Sequence, residues 1–146
     1  MKVKRGENVL KVYDPLRRKY VALTPEEYVR QHFVNWLITS LHYPVSLTAN
    51  EIGIELNGTK RRCDTIVFNP DGSPLIIVEY KAPNVSISQK VFDQIVRYNM
   101  VLRARYLIVS NGIRHYCCVI DYAANSYHFI PEIPNYTDLK NQFSLN

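Results

Sequence analysis

The hydrophobic and polar positions of the chain change period several times, and each change marks a predicted element. Apolar side chains recur every three or four positions over residues 24–42, which predicts an amphipathic helix. Its start is marked by Thr24 as N-cap, Pro25 at the first helical position and Glu27 completing a capping box. The apolar positions of this helix are Val29, Phe33, Val34, Trp36, Leu37 and Leu41.

The residues after this helix predict three consecutive strands. Apolar and polar residues alternate over 50–56, as in a strand with one buried face, and Asn57-Gly58 is a hairpin turn signal. Residues 62–68 predict a second strand, which runs into a turn rich in Asn, Pro and Gly. Residues 75–82 begin with apolar side chains on both faces, which is typical of a strand in the middle of a sheet.

The second half of the chain predicts one helix and further strands. Residues 88–103 have helical apolar spacing, and residues 106–109 form a short apolar run typical of a buried strand. Residues 115–120 predict another strand and 127–130 a short last one. The order helix, three antiparallel strands, helix, strand predicts an α/β domain with a mixed central sheet flanked by helices, in which the 106–109 strand runs parallel to a neighbour.

Length and composition predict one folding unit. The chain has 146 residues, of which 47% are hydrophobic and 21% charged, and this excludes a disordered chain. We find no repeat, linker, membrane-length apolar run or signal peptide in the sequence. We therefore expect a single cytoplasmic domain over 1–146, with an N-terminal arm at 1–22, extended or a short strand, and a C-terminal tail at 131–146.

The sequence lacks the motifs of several enzyme classes. The three cysteines, Cys63, Cys117 and Cys118, are odd in number and lack CxxC spacing, so we predict reduced thiols within strands. The histidines form no HExxH pair, and neither GxSxG nor GxGxxG occurs. Zinc hydrolase, acyl hydrolase and dinucleotide-dependent oxidoreductase classes are thereby disfavoured.

The charge of the chain permits a polyanionic partner without demanding one. The net charge is +5 and the sequence pI is about 9.1. Lys60, Arg61 and Arg62 form a basic cluster just before Asp64. Taken alone, such a cluster is more often a solvated surface than a phosphate site.

Three ionisable residues interrupt the apolar strands near the middle of the chain. Glu79 and Lys81 are two residues apart at the end of the third predicted strand, so their side chains leave the same face. The hairpin that joins the second and third predicted strands can bring Asp64 beside Glu79. Burying such ionisable groups is costly unless they pair or bind an ion. Two carboxylates with the carbonyl of Tyr80 suit Mg²⁺ or Mn²⁺, and Lys81 would orient or deprotonate the attacking water. The alternative is an exposed Glu79–Lys81 ion pair with Asp64 merely near the hairpin.

Further motifs accompany this trio in a fixed order along nearly the whole chain. They are Tyr13-Asp14-Pro15-Leu16-Arg17, Leu23-Thr24-Pro25-Glu26-Glu27-Tyr28-Val29-Arg30-Gln31, Cys63-Asp64-Thr65-Ile66-Val67, Val78-Glu79-Tyr80-Lys81-Ala82-Pro83, Gln94-Ile95-Val96-Arg97-Tyr98-Asn99 and Ser110-Asn111-Gly112. With these motifs the chain resembles the PD-(D/E)xK nucleases, and among them the N-terminal nuclease domain of type I restriction enzyme R subunits. One departure is that Cys63 stands where the motif has proline. The resemblance implies a restriction-endonuclease-like αβββαβ core.

The resemblance also implies roles for particular residues. Asp64 and Glu79 would bind the metal, Lys81 would be catalytic, and an acidic residue of the first helix would join them. Of the two candidates, Glu26 shares the inward face by helical phase and is preferred. Glu27 lies nearer the edge and has a competing capping role, so it is the alternative. For either, a helix N-terminus acid favoured by the dipole is the simpler interpretation.

A second implied group of residues lies on the second helix. Gln94-x-x-x-Tyr98 matches a QxxxY motif found in part of the superfamily, and the spacing of four places both side chains on one helix face. The resemblance implies that Gln94 and Tyr98 either contact the substrate or hold the catalytic strand, and Arg97 can contact a phosphate. A partly buried tyrosine, a surface glutamine and a solvated arginine are the alternative.

Together these features predict a Mg²⁺- or Mn²⁺-dependent DNA nuclease, endo- or exonucleolytic, of a restriction or DNA-processing system. No GxxxxGK[ST] phosphate loop occurs in the sequence, so this chain does not hydrolyse ATP by that route. Restriction-modification or motor subunits, and further copies of the chain, are the expected partners besides DNA, and a membrane is not. Two alternatives stay open: a non-catalytic DNA-binding or assembly module with the same fold, and a subunit active only in complex.

Overall fold

A six-stranded mixed sheet and a smaller three-stranded sheet form the framework of the protein. The structure is a computed structural model that describes residues 1–144, with side chains through residue 141. In chain order the elements are β1 (Val3–Arg5), β2 (Leu10–Asp14), β3 (Lys19–Ala22), α1 (Pro25–Thr39), β4 (Thr48–Leu56), β5 (Thr59–Phe68), β6 (Pro74–Tyr80), α2 (Gln89–Asn99), β7 (Tyr106–Ser110), β8 (His115–Asp121), β9 (Ser126–Ile130) and α3 (Tyr136–Ser144). The predicted order of helix, three strands, helix and strand is confirmed by α1 to β7.

The large sheet has the strand order β4-β5-β6-β7-β8-β9. β4, β5 and β6 pair antiparallel, β6 and β7 pair parallel, and β8 and β9 continue antiparallel. A parallel pair needs a crossover connection, and α2 supplies it between β6 and β7. The predicted mixed sheet and its parallel strand are therefore confirmed.

The hydrophobic core divides into two clusters, and β6 contributes to both of them. Ile76 and Val78 of β6 belong to the cluster that contains α1, whereas Ile77 belongs to the cluster that contains α2. The buried side chains that α1 and α2 contribute to these clusters are Val29, Phe33 and Leu37 of α1 and Phe92 and Val96 of α2. A strand buried on both faces explains the continuous apolar run before Glu79.

Both long helices end earlier than their hydrophobic spacing predicts. In α1 the N–H groups of Ser40 and Leu41 both donate to the Trp36 carbonyl, and His42 takes φ 63°. This left-handed residue stops α1 at Thr39. After α2 the chain tightens into a 3₁₀ turn over Met100–Leu102, which Arg103 ends at φ 59°.

The two ends of the chain contain more structure than the sequence predicted. The N-terminal arm is an antiparallel sheet of β1, β2 and β3, whose short strands have mostly exposed or half-buried side chains. The tail at 131–146, whose last two residues lie outside the described part, contains α3, and Leu139 of α3 is buried in the α1 cluster. No helix in residues 1–144 is both long and apolar enough to cross a membrane.

The three cysteines are buried and free, as predicted. Burial raises the pKa of Cys63, Cys117 and Cys118 to about 12 in each case. Such thiols remain protonated at neutral pH and are poor nucleophiles.

Candidate active site

Asp64 and Glu79 lie beside each other where β5 and β6 stop pairing. The ladder between these strands reaches the pair Thr65–Val78, and continuing the same register places Asp64 opposite Glu79. The Tyr80 amide donates a hydrogen bond of 2.9 Å to Oδ2 of Asp64 at this point. The Asp64 carboxyl is close enough to Glu79 to raise the pKa of that residue. The structure thus brings together the two carboxylates that the sequence singled out.

The environment of this pair disfavours two negative charges. Burial raises the pKa of Glu79 most, and the adjacent Asp64 carboxyl raises it further, to about 9. The charge of Glu51 acts in the same direction, whereas that of Lys81 opposes it. At neutral pH the Glu79 carboxyl of the metal-free protein is therefore protonated. A cation at this position would take the place of that proton.

Lys81 follows directly on β6, where β7 fixes its backbone. Its amide donates to the Ser110 carbonyl at 2.9 Å, which continues the β6–β7 pairing by one residue. Its side chain is half-buried, and its positive charge acts on the Glu79 carboxyl. The ammonium group is therefore placed to offset negative charge beside the carboxyl pair.

Glu51 is a third acidic residue near the pair, and sequence reasoning missed it. The register of β4 and β5 places Glu51 opposite Asp64. It has φ 52° inside a strand, a left-handed conformation that costs roughly 1–2 kcal/mol for a residue with a Cβ. Residues strained in this way concentrate at functional sites. The alternation of β4 had suggested only a solvent-facing side chain.

Two arginines hold the Glu51 carboxylate. Nη2 of Arg30 donates to it at 2.6 Å, and Nε of Arg62 donates at 2.9 Å. Arg30 is buried and its guanidinium lies 5.7 Å from the centre of the Tyr80 ring. Burial would raise the pKa of Glu51, but these two arginines lower it overall. Glu51 is thus a fixed negative charge next to the carboxyl pair.

The donor set at Asp64 and Glu79 suits a cation that keeps much of its water. Across residues 1–144, no group of three or more His, Cys, Asp and Glu side chains is arranged to hold a metal ion. Mg²⁺ commonly binds proteins through only one or two carboxylates and retains several waters. Two adjacent carboxyls, with the Tyr80 carbonyl between Glu79 and Lys81 in sequence, fit that requirement. The residues present are therefore compatible with Mg²⁺ or Mn²⁺.

The inward orientation predicted for Glu26 is wrong. Glu26 is exposed, whereas Glu27 retains 6% of its accessible surface. Nη2 of Arg17 donates to the Glu27 carboxylate at 2.6 Å, and Nε2 of Gln31 donates at 2.9 Å. The capping contact predicted at Thr24 is present, since its hydroxyl accepts from the Glu27 amide at 3.1 Å. Arg17 reaches Glu27 from the β2–β3 turn, a contact that helical phase alone does not reveal.

A buried chain of hydrogen bonds connects the N-terminal sheet with β6. Asp14 of β2 accepts from Arg17 and, at 3.0 Å, from Nδ2 of Asn50. Oδ1 of Asn50 accepts from the Thr65 hydroxyl at 2.6 Å. Oγ1 of Thr65 accepts from the Tyr80 hydroxyl at 2.9 Å. Asp14, Asn50, Thr65 and Tyr80 are all buried, so solvent does not compete for these contacts.

The predicted substrate residues of α2 lie on its exposed face. Gln94, Arg97 and Tyr98 are all exposed, and Arg97 donates to Asp93 at 3.0 Å. The guanidinium of Arg61, from the β4–β5 hairpin, lies 4.3 Å from the centre of the Tyr98 ring. Within residues 1–144 the structure joins none of the three to Asp64 or Glu79 by a hydrogen bond. Their contact with a substrate therefore stays a prediction.

The Ser110-Asn111-Gly112 motif forms the turn after β7. Oδ1 of Asn111 accepts from the amides of Ile113 and Arg114, while its Nδ2 donates to the Val85 carbonyl at 2.8 Å. Gly112 has φ 87°, which favours glycine, and a Cβ there would approach Val29 within 3.3 Å. The motif fixes the loop that follows Lys81, so its role in the structure is architectural.

Comparison with known proteins identifies the family of the chain. Residues 25–134 match the model of the family described as type I restriction enzyme R protein N terminus (HSDR_N). No curated protein matches the sequence. Solved structures with the same fold include the fragment structure of a putative HsdR subunit of a type I restriction enzyme from Vibrio vulnificus YJ016, with 17% identity and a TM-score of 0.56 over 83% of this chain. The match covers 25% of that chain, so this chain spans about a quarter of its length.

At that identity the structural likeness establishes the fold alone, whereas the family match extends over about three quarters of the sequence. The chain belongs to the type I restriction enzyme R protein N terminus family.

Proposed function

We propose that this chain is a Mg²⁺- or Mn²⁺-dependent DNA nuclease of the PD-(D/E)xK type that acts in a restriction or DNA-processing system. The observation that carries the proposal is the carboxyl pair of Asp64 and Glu79, with the charge of Lys81 acting on it. The surroundings of the half-buried Glu79 carboxyl disfavour its negative charge, so a divalent cation beside the pair would stabilise that charge. The family assignment adds the restriction context.

The reaction is phosphodiester hydrolysis, in which a water oxygen bonds to phosphorus and one backbone P–O bond breaks. Asp64, Glu79 and the Tyr80 carbonyl would hold the cation, which when bound would lower the pKa of a coordinated water and offset charge on the phosphate. Lys81 donates a hydrogen bond that orients the attacking water, and its charge offsets the negative charge that develops on the phosphate.

The substrate proposed is DNA, which restriction enzymes cleave and which suits the basic residues near the site. Arg62 lies two residues before Asp64 on β5 and its side chain is 70% exposed. Arg61 and Tyr98 form a charged and aromatic pair on the adjoining surface. Arginine contacts phosphate, and an exposed aromatic ring stacks on a base. We assign Gln94 and Arg97 to the same binding surface.

The partners proposed are other restriction-modification subunits, including a motor. The chain spans about a quarter of the HsdR fragment it resembles, and its sequence contains no phosphate loop of its own. ATP-dependent steps would then require another polypeptide or further domains. Self-association and a cytoplasmic location stay predictions of the sequence.

A second candidate is a DNA-binding or assembly module that does not cleave. It is favoured by the exposed side chains of Arg62 and Tyr98, which would bind DNA whether or not the DNA is cleaved. The two candidates differ in one property, which is metal-dependent cleavage.

Incubation of supercoiled and linear DNA with the protein, with Mg²⁺, Mn²⁺ or EDTA, tests the proposal. The nuclease is supported by cleavage in either metal that EDTA abolishes. Salt-dependent DNA binding without cleavage in either metal would reject the nuclease and support the binding module.

A further inference from the structure

The N-terminal sheet lies outside the part of the chain that matches the family, because the match begins at residue 25. Among the described residues of this sheet, Asp14 is the one deeply buried acidic side chain, with 1% of its accessible surface exposed. Asp14 is nevertheless connected to the candidate active site, through Asn50 and Thr65, to the Tyr80 hydroxyl.

We propose that Asp14, Asn50, Thr65 and Tyr80 are positioning residues of the active site, and that the N-terminal sheet is therefore a working part of the nuclease. Through them the sheet fixes the Tyr80 peptide, whose N–H holds the Asp64 carboxylate. This inference rests on the proposed function and assigns its site a supporting structure.

The chemistry of the four side chains gives the chain of hydrogen bonds a single direction. An ionised Asp14 can only accept, so Asn50 turns its NH₂ group toward it. The Asn50 oxygen then faces Thr65, whose hydroxyl must donate to it. Thr65 has no proton left for Tyr80, so the Tyr80 hydroxyl donates and its ring has one orientation. Each donor points toward Asp14, and hydrogen bonds aligned in this way reinforce one another.

Asp14 is held in the ionised form that this direction requires. Burial would raise the pKa of Asp14, but hydrogen bonds from Arg17, Asn50 and the Leu16 amide lower it overall. Arg17 bridges Asp14 and Glu27, and thereby ties β2 to the first turn of α1. Asp14, at the end of the chain of hydrogen bonds, is thus held by Asn50 on one side and by Arg17 on the other.

Tyr80 connects the chain of hydrogen bonds to Asp64, because both its hydroxyl and its backbone amide are hydrogen-bonded. Its hydroxyl donates to Thr65 and its amide donates to Asp64, each at 2.9 Å. Its ring also packs against Phe33 at 5.8 Å between centres. Loss of the hydroxyl contact would free the ring and let the adjoining peptide, which includes the amide that orients Asp64, move. Removal of such outer partners typically weakens metal binding about 10- to 100-fold.

Tyr80→Phe tests the proposal, and Tyr43→Phe is its matched control. Tyr43 is a buried tyrosine of the same hydrophobic cluster, and its hydroxyl donates to the Pro134 carbonyl at 2.5 Å. We expect Tyr80→Phe to weaken Mn²⁺ binding at least about tenfold and Tyr43→Phe to leave it unchanged. Equal Mn²⁺ affinity in the two variants would overturn the proposal, because both delete one buried hydroxyl.

A double variant shows whether Asp14 acts through Tyr80. Asp14→Asn alone should weaken Mn²⁺ binding, while Asp14→Asn combined with Tyr80→Phe should bind no more weakly than Tyr80→Phe. Losses that multiply would mean that Asp14 acts independently of Tyr80, and would overturn the network.

Hydrogen exchange of the amide at residue 80 separates this inference from the proposed function, since it needs no metal. We expect exchange at that amide to be at least about tenfold faster in Tyr80→Phe and in Asp14→Asn than in the wild type and in Tyr43→Phe. Unchanged exchange overturns the inference even if the wild type cleaves DNA. The two variants could exchange faster while the wild type neither binds Mn²⁺ nor cleaves DNA. That result would reject the proposed function and still support the hydrogen-bond network.

Discussion

The amide of Tyr80 donates to the carboxylate of Asp64 at the position where the β5–β6 ladder ends. This contact uses a backbone donor that would otherwise have pointed into the gap between the separating strands. It also sets the orientation of one carboxylate of the candidate site. Tyr80 of β6 therefore connects the hydrophobic core with the candidate site at Asp64.

Divalent metal should raise the melting temperature of the wild type. A ligand that binds only the folded state stabilises it by about 2.7 kcal/mol at 100 times its dissociation constant. Glu79→Gln should abolish the shift and leave the metal-free protein at least as stable at pH 7, because it replaces a carboxyl that burial and Asp64 keep protonated. Differential scanning calorimetry with and without Mn²⁺ measures both effects. An equal metal-induced shift in Glu79→Gln would place the cation elsewhere.

Asp14 should contribute stability that depends on pH. Its folded pKa is lowered, so the contribution is present above its unfolded pKa of about 4 and is lost as the pH falls through the folded pKa. Breaking a buried charged contact costs about 3 kcal/mol, so Asp14→Asn should be that much less stable at pH 7. The gap to the wild type should shrink toward pH 3 in urea unfolding.

Asp71→Asn is the control for this pH dependence. Asp71 is an exposed turn residue whose pKa is lowered by its contacts with Ser73. Its substitution should change the stability little at pH 7. A gap for Asp14→Asn that stays constant from pH 7 to pH 3 would contradict the assignment of an ionised Asp14.

Glu26 and Glu27 should differ strongly although they are adjacent. Glu27→Ala removes one of the two carboxylate partners of both Arg17 and Arg30 and should destabilise the fold by about 3 kcal/mol. Glu26→Ala removes an exposed side chain and should change stability by no more than about 0.5 kcal/mol. Denaturant unfolding of both variants gives the comparison. Similar losses of stability in the two variants would mean that the buried contacts of Glu27 do not stabilise the fold.

The β4–β5 hairpin should contribute to DNA binding through charge. Arg61→Ala should weaken binding to unrelated DNA sequences alike and reduce the slope of log affinity against log salt by about 1. Arg5→Ala removes the same charge from the exposed strand β1 and is the control. Fluorescence anisotropy at several salt concentrations measures the slope. An unchanged slope in Arg61→Ala would move the DNA path away from the hairpin.

The central order of elements could be predicted because its signals are local. The Thr24 cap, the alternation over 50–56 and the Asn57-Gly58 turn each act within a few residues, and all three correspond to observed structure. Pairing of Asp64 with Glu79 followed from the next turn along the chain, which joins β5 to β6, and from the period of the strands. Both predictions needed no knowledge of distant contacts.

What escaped prediction depends on contacts between distant parts of the chain. Glu27 is buried against Arg17, which lies ten residues earlier in the turn between the short strands β2 and β3. Glu51 turns toward Arg30 through a left-handed backbone conformation that alternation does not encode. Helical phase chose Glu26 because it contains no information on the N-terminal sheet.

The most direct test of the central claim compares DNA cleavage by the wild type, Lys81→Ala and Lys4→Ala in Mn²⁺. Lys81 acts on the Glu79 carboxyl, whereas Lys4 lies exposed on β1 with its ammonium over the Tyr20 ring. Loss of a group that stabilises the transition state should lower the rate about 100-fold or more in Lys81→Ala, and Lys4→Ala should cleave like the wild type. Wild-type cleavage by a folded Lys81→Ala variant would contradict a nuclease site at Asp64, Glu79 and Lys81.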